Sequence, residues 1–138
     1  MKRIIWQNAA GGVSVLSPAP DCGLTIEQIA TRDVPKGKSY QIVDTANIPP
    51  DRTFRNAWEY DGEKIIVSLS KAQEITKARL RAERVPLLAE QDVAFQRALE
   101  TGADTVAIVA EKQRLRDITK LADKCSTLDE LKELQATL

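Results

Sequence analysis

Residues 58–67, WEYDGEKIIV, decide how the fold is interpreted, because they form the clearest local pattern in the chain. An Asp-Gly pair between two runs of aromatic and aliphatic residues is a strong short-range signal for a β-hairpin. With Asp61-Gly62 as a two-residue turn, an opposite-charge pair and an aromatic–aliphatic pair fall on opposite faces. The predicted cross-strand pairs are Tyr60 with Glu63, Glu59 with Lys64 and Trp58 with Ile65.

The composition of the chain changes at this hairpin. Five of the six glycines, five of the six prolines and five of the six aromatic residues lie before residue 63. From Ser70 onward only Pro86 and Gly102 interrupt a stretch rich in strong helix formers. The sequence therefore predicts an α+β protein, with a β-rich subdomain over residues 1–69 and a helical subdomain over residues 70–138.

The first subdomain is predicted as a small mixed sheet with one short helix. Residues 3–7 and 13–17 have β-strand character and are joined by a glycine-containing connection, which favours a hairpin. Thr25 and Gln28 have the spacing of a capping box, and Pro35 ends the helix that follows. Its apolar face comprises Ile26, Ile29, Ala30 and Val34. A further strand is predicted over residues 40–43.

The second subdomain is predicted as a kinked antiparallel helical hairpin with a short terminal helix. The first helix begins with Ser70 as N-cap and extends to Glu100, with a bend or break at Pro86. Residues recurring along it at helical spacing are Ile75, Arg79, Ala82, Leu88, Phe95 and Leu99.

The second helix is predicted from Thr105 to about Ala122, and the short connection before it favours an antiparallel pair. Its predicted inward stripe comprises Val106, Val109, Leu115, Ile118 and Leu121 or Ala122. A terminal helix starts at Ser126-Thr127, where a second capping-box pattern precedes leucines at helical spacing.

The size and charge of the chain restrict its function. It has 138 residues and a formal net charge of zero, with eight basic and eight acidic residues up to Leu69 and twelve of each after it. A neutral chain lacks the long-range field that attracts nucleic acids and anionic membranes. No segment has the apolar length of a signal peptide or a transmembrane span. We therefore expect no membrane partner, and nucleic acid is a weak candidate.

The residue types also argue against an enzyme. The sequence contains no histidine, which is the most frequent general base and metal ligand. Cys22 and Cys125 are too far apart in sequence for a zinc-type pairing and are interpreted as free thiols in a reducing cytoplasm. We predict no catalytic, cofactor-binding or metal-binding residue.

Three further patterns have simpler explanations than a binding site. Gly11-Gly12 lacks the lysine and the following helix of a phosphate-binding loop. The carboxylates around Asp61 are explained by a solvated turn. The basic concentration over residues 71–84 is spread around its helix, which favours a solvated or partner-facing surface over a nucleic-acid site.

A protein-docking site is predicted where arginines and aromatic residues cluster before the hairpin. Such compositions are enriched at protein interfaces, although packing of the linker on the sheet is an equally good explanation. The predicted partner-binding residues are Arg52, Phe54, Arg55, Trp58 and Tyr60. The alternative docking surface is the long helix around Arg79, Arg81 and Arg84.

The order of motifs along most of the chain resembles a group of small proteins encoded by tailed bacteriophages, among the genes for tail and tail-fibre components. In the first half the shared residues are Trp6-Gln7-Asn8, Gly11-Gly12-Val13, Val15, Val34-Pro35, Gly37, Tyr40-Gln41-Ile42-Val43-Asp44, Ile48-Pro49, Asp51-Arg52, Phe54-Arg55, Ala57-Trp58-Glu59 and Asp61-Gly62. In the second half they are Lys71, Arg81-Ala82, Pro86, Leu88, Asp92-Val93, Phe95 and Arg97-Ala98-Leu99-Glu100.

This resemblance implies a non-enzymatic role in the virion or its assembly, through contacts with tail or tail-fibre proteins. The leading interpretation is a tail-associated structural or fibre-attachment protein. The alternatives are an assembly chaperone absent from the mature virion, and a small phage regulator that binds nucleic acid. The expected location is the virion tail, or the host cytoplasm during assembly. We expect a homo-oligomer, with the first half docking a partner and the helices mediating self-association.

Overall fold

The computed structural model describes residues 1–138 and confirms the α+β class. The chain divides into two compact units, Met1–Ser68 and Leu69–Leu138, so the division lies one residue before the predicted one. The first unit contains all the β-strands and one helix, and the second contains four helices.

The first unit contains two antiparallel sheets, and the predicted mixed sheet is wrong. One sheet has three strands in the order β2-β1-β3: β1 (Lys2–Gln7), β2 (Val13–Leu16) and β3 (Tyr40–Asp44). The predicted hairpin of the first two strands is confirmed, and β3 pairs with the other edge of β1. The second sheet is the hairpin of β4 (Trp58–Tyr60) and β5 (Ile65–Val67).

The alternation of side chains along β1 gives the first unit two cores. Ile4 lies on one face and contacts the helix α1 (Ile26–Asp33), whose buried residues include Ile29 and Ala30. Ile5 lies on the opposite face and contacts the core formed with Trp58 of β4. Since successive side chains of a strand point to opposite faces, the central strand separates the helix from the second hairpin.

The predicted capping box of α1 is confirmed at both of its hydrogen bonds. The backbone N–H of Gln28 donates to Thr25 Oγ1 at 3.2 Å, and the N–H of Thr25 donates to Gln28 Oε1 at 2.9 Å. The helix ends before Pro35, as predicted.

The register of the β4–β5 hairpin differs from the prediction by two residues. Trp58 pairs with Val67 and Tyr60 with Ile65, so residues 61–64 form the loop and the predicted Glu59–Lys64 pair does not exist. Asp61 Oδ1 accepts hydrogen bonds from the N–H groups of Glu63 and Lys64, at 2.9 and 2.8 Å. This side-chain turn stabilises a wider loop, and a shift by two residues keeps the same side chains on the buried face.

The second unit is built on a long helix, α2 (Leu69–Thr101), which extends through Pro86 without interruption. The predicted break is therefore wrong, and a bend at Pro86 stays a prediction. Ser70 lies inside the helix and is not its N-cap. The buried residues of α2 include Ala72, Thr76 and Leu80, whereas Ala82 of the predicted stripe is exposed.

The predicted second helix is divided into α3 (Val106–Asp117) and α4 (Lys120–Lys124), and a terminal helix α5 (Leu128–Glu133) follows. Leu115, Ile118 and Ala122 are buried as predicted, but Val106 and Val109 are 70% and 48% exposed. The ion pairs Lys112–Asp92 and Lys77–Asp123 show that α3 and α4 run antiparallel to α2. The antiparallel helical hairpin with a terminal helix is therefore confirmed.

Arg84 of α2 explains where α3 ends. Its guanidinium donates to the carbonyl oxygens of Leu115 and Arg116, at 3.4 and 2.9 Å. In a continuous helix these two carbonyls would accept the N–H groups of residues 119 and 120. Because the arginine binds them from a neighbouring helix, the chain can leave the helix at Ile118 without unpaired carbonyls.

Candidate docking site

The candidate docking site is formed by two turns that precede β4. Asp51 Oδ1 accepts hydrogen bonds from the N–H and the hydroxyl of Thr53, at 2.9 and 2.6 Å. The N–H of Arg55 then donates to the carbonyl of Arg52 at 3.0 Å, and a 3-10 turn extends over Arg55–Ala57. Residues three apart share one side of such a turn, which places Arg52 and Arg55 together.

Both arginines lie against the indole ring of Trp58. The guanidinium carbon of Arg55 is 4.4 Å from the ring centroid, and that of Arg52 is 6.0 Å from it. A guanidinium over an aromatic face is attracted by the negative face of the ring, more strongly at the shorter distance. We call these three residues the Arg–Trp cluster.

A backbone contact holds Arg55 in the cluster. Its Nη2 donates to the carbonyl oxygen of Val13 in β2 at 2.6 Å. Burial lowers the pKa of Arg55, and the positive charge of Arg52 lowers it further. An arginine nevertheless remains protonated at neutral pH. The contact with β2 therefore fixes a cation at the edge of the three-stranded sheet.

The cluster brings two cations together on one ring. Arg55 donates to a backbone carbonyl, and Arg52 is exposed. Two neighbouring guanidinium groups repel each other, and a carboxylate or phosphate from outside would relieve that repulsion. Guanidinium groups bind both anions through paired hydrogen bonds. The cluster is thus suited to an acidic group on a partner.

The structure does not bring all five predicted partner-binding residues to the surface. Trp58 and Phe54 are 1% and 6% exposed, so the prediction that they contact a partner is wrong. Tyr60 is partly buried, and its hydroxyl donates to the carbonyl of Gly62 at 2.9 Å. The packing explanation holds for Trp58 and Tyr60 because they belong to the core between the two sheets, whereas Arg52 remains at the surface.

Trp58 carries the only buried side-chain polar atom of the chain without a hydrogen-bond partner, its indole Nε1. A buried unpaired donor costs free energy, and most native structures avoid it. The tryptophan is therefore retained for the area it buries and for its ring face.

The basic stretch of α2 has a structural role that its sequence did not indicate. Arg79 donates to the carbonyl of Leu131 at 3.1 Å, and Lys77 pairs with Glu74 and Asp123. Together with Arg84, these cations bind backbone carbonyls and carboxylates of their own unit. Arg79 and Arg84 are thus engaged within their own unit, and Arg81 alone of the three is exposed and forms no ion pair.

The remaining polar features offer no catalytic arrangement. The hydrogen bonds from the N–H groups of Lys64 and Glu63 lower the pKa of Asp61, as expected for a turn carboxylate. A cavity of about 490 Å³ in the second unit has Arg114 and Asp117 in its lining. Arg114 is bound to Glu111 and to the carbonyl of Ala136, and Asp117 to Gln113 and Lys120. Arg114 and Asp117 are therefore already paired, and Glu133 is the other charged residue of the lining.

The two cysteines are free thiols, Cys22 exposed and Cys125 buried. Burial raises the pKa of Cys125, and the charge of Glu130 raises it further. Less of this cysteine is therefore present as the reactive thiolate. The structure contains no group of three or more cysteine, aspartate or glutamate side chains that could hold a metal ion. None of the helices combines the length and apolarity needed to cross a bilayer.

Comparisons with protein-family models, curated proteins and solved structures found no match to this chain.

Proposed function

We propose that this protein is a non-enzymatic, tail-associated structural or fibre-attachment protein of a tailed bacteriophage. The proposal rests on the ordered resemblance of its motifs to small tail-region proteins. The observation that supports a docking role is the Arg–Trp cluster, in which two mutually repelling guanidinium groups lie against one buried ring. The first unit docks an acidic segment of a tail or tail-fibre protein, and the helical unit associates with further copies.

The docking mode follows from the differing positions of the two arginines. Arg55 is anchored to β2 and contributes a fixed charge, whereas Arg52 is exposed and can move to meet a carboxylate. A rigid aromatic platform lowers the entropy lost when an arginine is ordered at an interface. The exposed arginine is therefore the better residue for testing the docking role.

Mass spectrometry of purified particles of the encoding phage tests the proposal. We expect the protein in the particle at a copy number that matches the rotational symmetry of the tail. Presence in infected cells in complex with a tail protein, but absence from the particle, would favour the assembly chaperone. Absence from both, together with tight binding to nucleic acid, would favour the regulator.

Substitution of two exposed cations of the first unit, one at a time, tests the proposed docking site itself. Arg52→Ala should reduce incorporation into particles because it removes the exposed cation of the cluster. Lys38→Ala removes an equally exposed cation that has no ion pair and lies outside the cluster, so it should incorporate normally. Equal incorporation of the two variants would contradict docking through the Arg–Trp cluster.

A further inference from the structure

The outward face of α2 carries an apolar stripe along the middle of the helix. The stripe comprises Ala78, Ala82, Val85, Pro86, Ala89 and Val93, all of which are exposed. At 3.6 residues per turn, Ala78, Ala82, Val85, Ala89 and Val93 fall within an arc of about 80°. Val85 and Val93 are 64% and 50% exposed, and a groove of about 470 Å³ lies beside Ala89 and Val93. We call this surface the outer stripe.

Charged residues flank the outer stripe in a definite order. Two residues eleven positions apart share one side of a helix, because eleven residues make about three turns. Arg79 and Glu90 therefore lie on one side of the stripe, and Arg81 and Asp92 lie on the other. The basic member of each pair precedes the acidic member. Both pairs are centred near Val85 and Pro86, which is also the middle of the helix Leu69–Thr101.

We infer that the outer stripe binds the same stripe of a second copy of the chain, in antiparallel orientation, about a two-fold axis at Val85–Pro86. Such an axis keeps each flank on its own side and reverses the direction of the helix. Arg79 of one copy then lies opposite Glu90 of the other, and Arg81 lies opposite Asp92. The symmetry repeats each contact, so four attractive pairs surround the apolar contact.

The charge pattern disfavours the parallel alternative. In a parallel pair the two flanks exchange sides, so Arg79 would lie opposite Arg81 and Glu90 opposite Asp92. Like charges at such positions are destabilising. Arg81 and Glu90 form no ion pair within their own chain, so both are available to the second copy. Asp92 pairs with Lys112, and Arg79 with Glu83, so these two already have fixed positions.

The apolar contact is also suited to a second copy of the same helix. The axis places Ala82 opposite Ala89 and Ala78 opposite Val93, so a small residue faces a small or medium one in every layer. Small side chains let helix axes approach closely, towards the lower end of the usual 8–10 Å. The stripe from Ala78 to Val93 spans about 23 Å, and its centre coincides with the middle of α2, so a two-fold axis there brings the whole stripe into contact.

This inference rests on the self-association part of the proposed function and names its surface. It does not involve the Arg–Trp cluster or a tail protein. A failure here would therefore leave docking untouched, and absence from the phage particle would leave the dimer untouched.

Sedimentation equilibrium of the purified chain tests for the dimer. The expected mass is about twice 15.3 kDa, and Val85→Asp should give a monomer with unchanged helical circular dichroism. Val106→Asp is the matched control, since Val106 is equally exposed but lies on α3. A monomeric wild-type chain, or a dimer that persists in Val85→Asp, would overturn the inference.

Disulfide cross-linking tests the orientation, in a Cys22→Ser background. A mixture of the Ala82→Cys and Ala89→Cys variants should form the mixed disulfide, and neither variant alone should cross-link to itself. Self-cross-linking of each variant would show parallel pairing and overturn the inference. Arg81→Glu should raise the dissociation constant on the order of tenfold at low salt, and by less at 1 M salt. Arg116→Glu, another exposed cation, should leave it unchanged.

Discussion

At the residue scale, Trp58 is a buried side chain that supports the proposed docking site from below the surface. Its ring closes the core between the two sheets of the first unit and presents a face to two arginines. The indole nitrogen makes no hydrogen bond, so the polar N–H group does not stabilise the fold. The residue acts by its area and by its ring.

Substitution of Trp58 tests this role. Trp58→Ala should lower the free energy of unfolding by about 3–5 kcal/mol, because it leaves a large cavity. Trp58→Phe should cost only about 1–2 kcal/mol, since it keeps an aromatic face and removes an unpaired donor. Urea denaturation followed by circular dichroism measures both. Equal losses for the two variants would contradict a role that rests on the aromatic face.

Glu83 links the end of the chain to the long helix. Its carboxylate accepts the N–H of Ala136 at 3.0 Å and pairs with Arg79 at 2.7 Å. The hydrogen bond from Ala136, followed by that from Arg79, lowers the pKa of Glu83. A carboxyl whose pKa is lower in the folded state stabilises the fold above its unfolded-state pKa, and this contribution is lost as the pH falls through the folded-state value.

Glu83→Gln should therefore destabilise the protein most at neutral pH. We expect a loss of about 1 kcal/mol at pH 7, a modest value because the side chain is partly exposed. The difference from the wild type should disappear in acid, where the glutamate itself is protonated. Glu133→Gln is the control, because Glu133 is exposed and makes no hydrogen bond or ion pair. A difference that stayed constant with pH would exclude the charge of Glu83 as its cause.

At the element scale, α2 is a single helix although it contains a proline in its interior. Pro86 has no N–H to donate to the carbonyl of Ala82, and its ring crowds that carbonyl. Neither effect breaks the helix here, because contacts on both sides of the proline hold it to the same antiparallel partners. Arg84 binds the end of α3 on one side, and Asp92 pairs with Lys112 on the other.

Pro86→Ala should consequently stabilise the helix rather than disrupt it. We expect the free energy of unfolding to rise by about 1–3 kcal/mol, since alanine restores the missing hydrogen bond. Thermal denaturation at matched protein concentrations measures the change. Pro18→Ala serves as a comparison outside the helices and should be neutral or slightly destabilising. A loss of stability in Pro86→Ala would mean that the proline supports a necessary bend.

At the scale of the whole molecule, the net charge is zero and several basic residues bind groups of their own unit. Lys77, Arg79 and Arg84 all bind groups of their own unit, which leaves few basic residues of α2 to contact phosphates. Binding to nucleic acid depends mainly on cations that replace the counterions of phosphates.

We accordingly expect weak binding to nucleic acid. Fluorescence anisotropy with a labelled duplex DNA and a single-stranded RNA should give dissociation constants above about 10 µM at physiological salt, within or above the non-specific range. Submicromolar binding that falls steeply with added salt would instead support the regulator.

Local sequence determined much of this protein. The Thr25–Gln28 capping box, the first hairpin, the α+β class and the division near residue 69 depend on interactions between residues close in the chain. Their signals are the spacing of polar caps, turn residues and apolar periodicity, which need no knowledge of distant contacts. The proximity of Arg52 and Arg55 to Trp58 also follows from their closeness in the chain, whereas their role in docking stays a prediction.

Tertiary structure decided the rest. Val106 and Val109 fit a helical stripe but remain exposed, whereas Trp58 and Phe54 are buried beside surface arginines, because burial depends on which elements pack together. The end of α3 depends on a guanidinium from α2, 32 residues away in sequence. The register of the second hairpin is a different case, because the two hydrogen bonds to Asp61 that accompany it are local and the prediction of a two-residue turn missed them. Interactions between residues distant in sequence produce no local sequence pattern. A backbone carbonyl is present in every residue, so the identity of Arg116 does not indicate that a side chain binds its carbonyl.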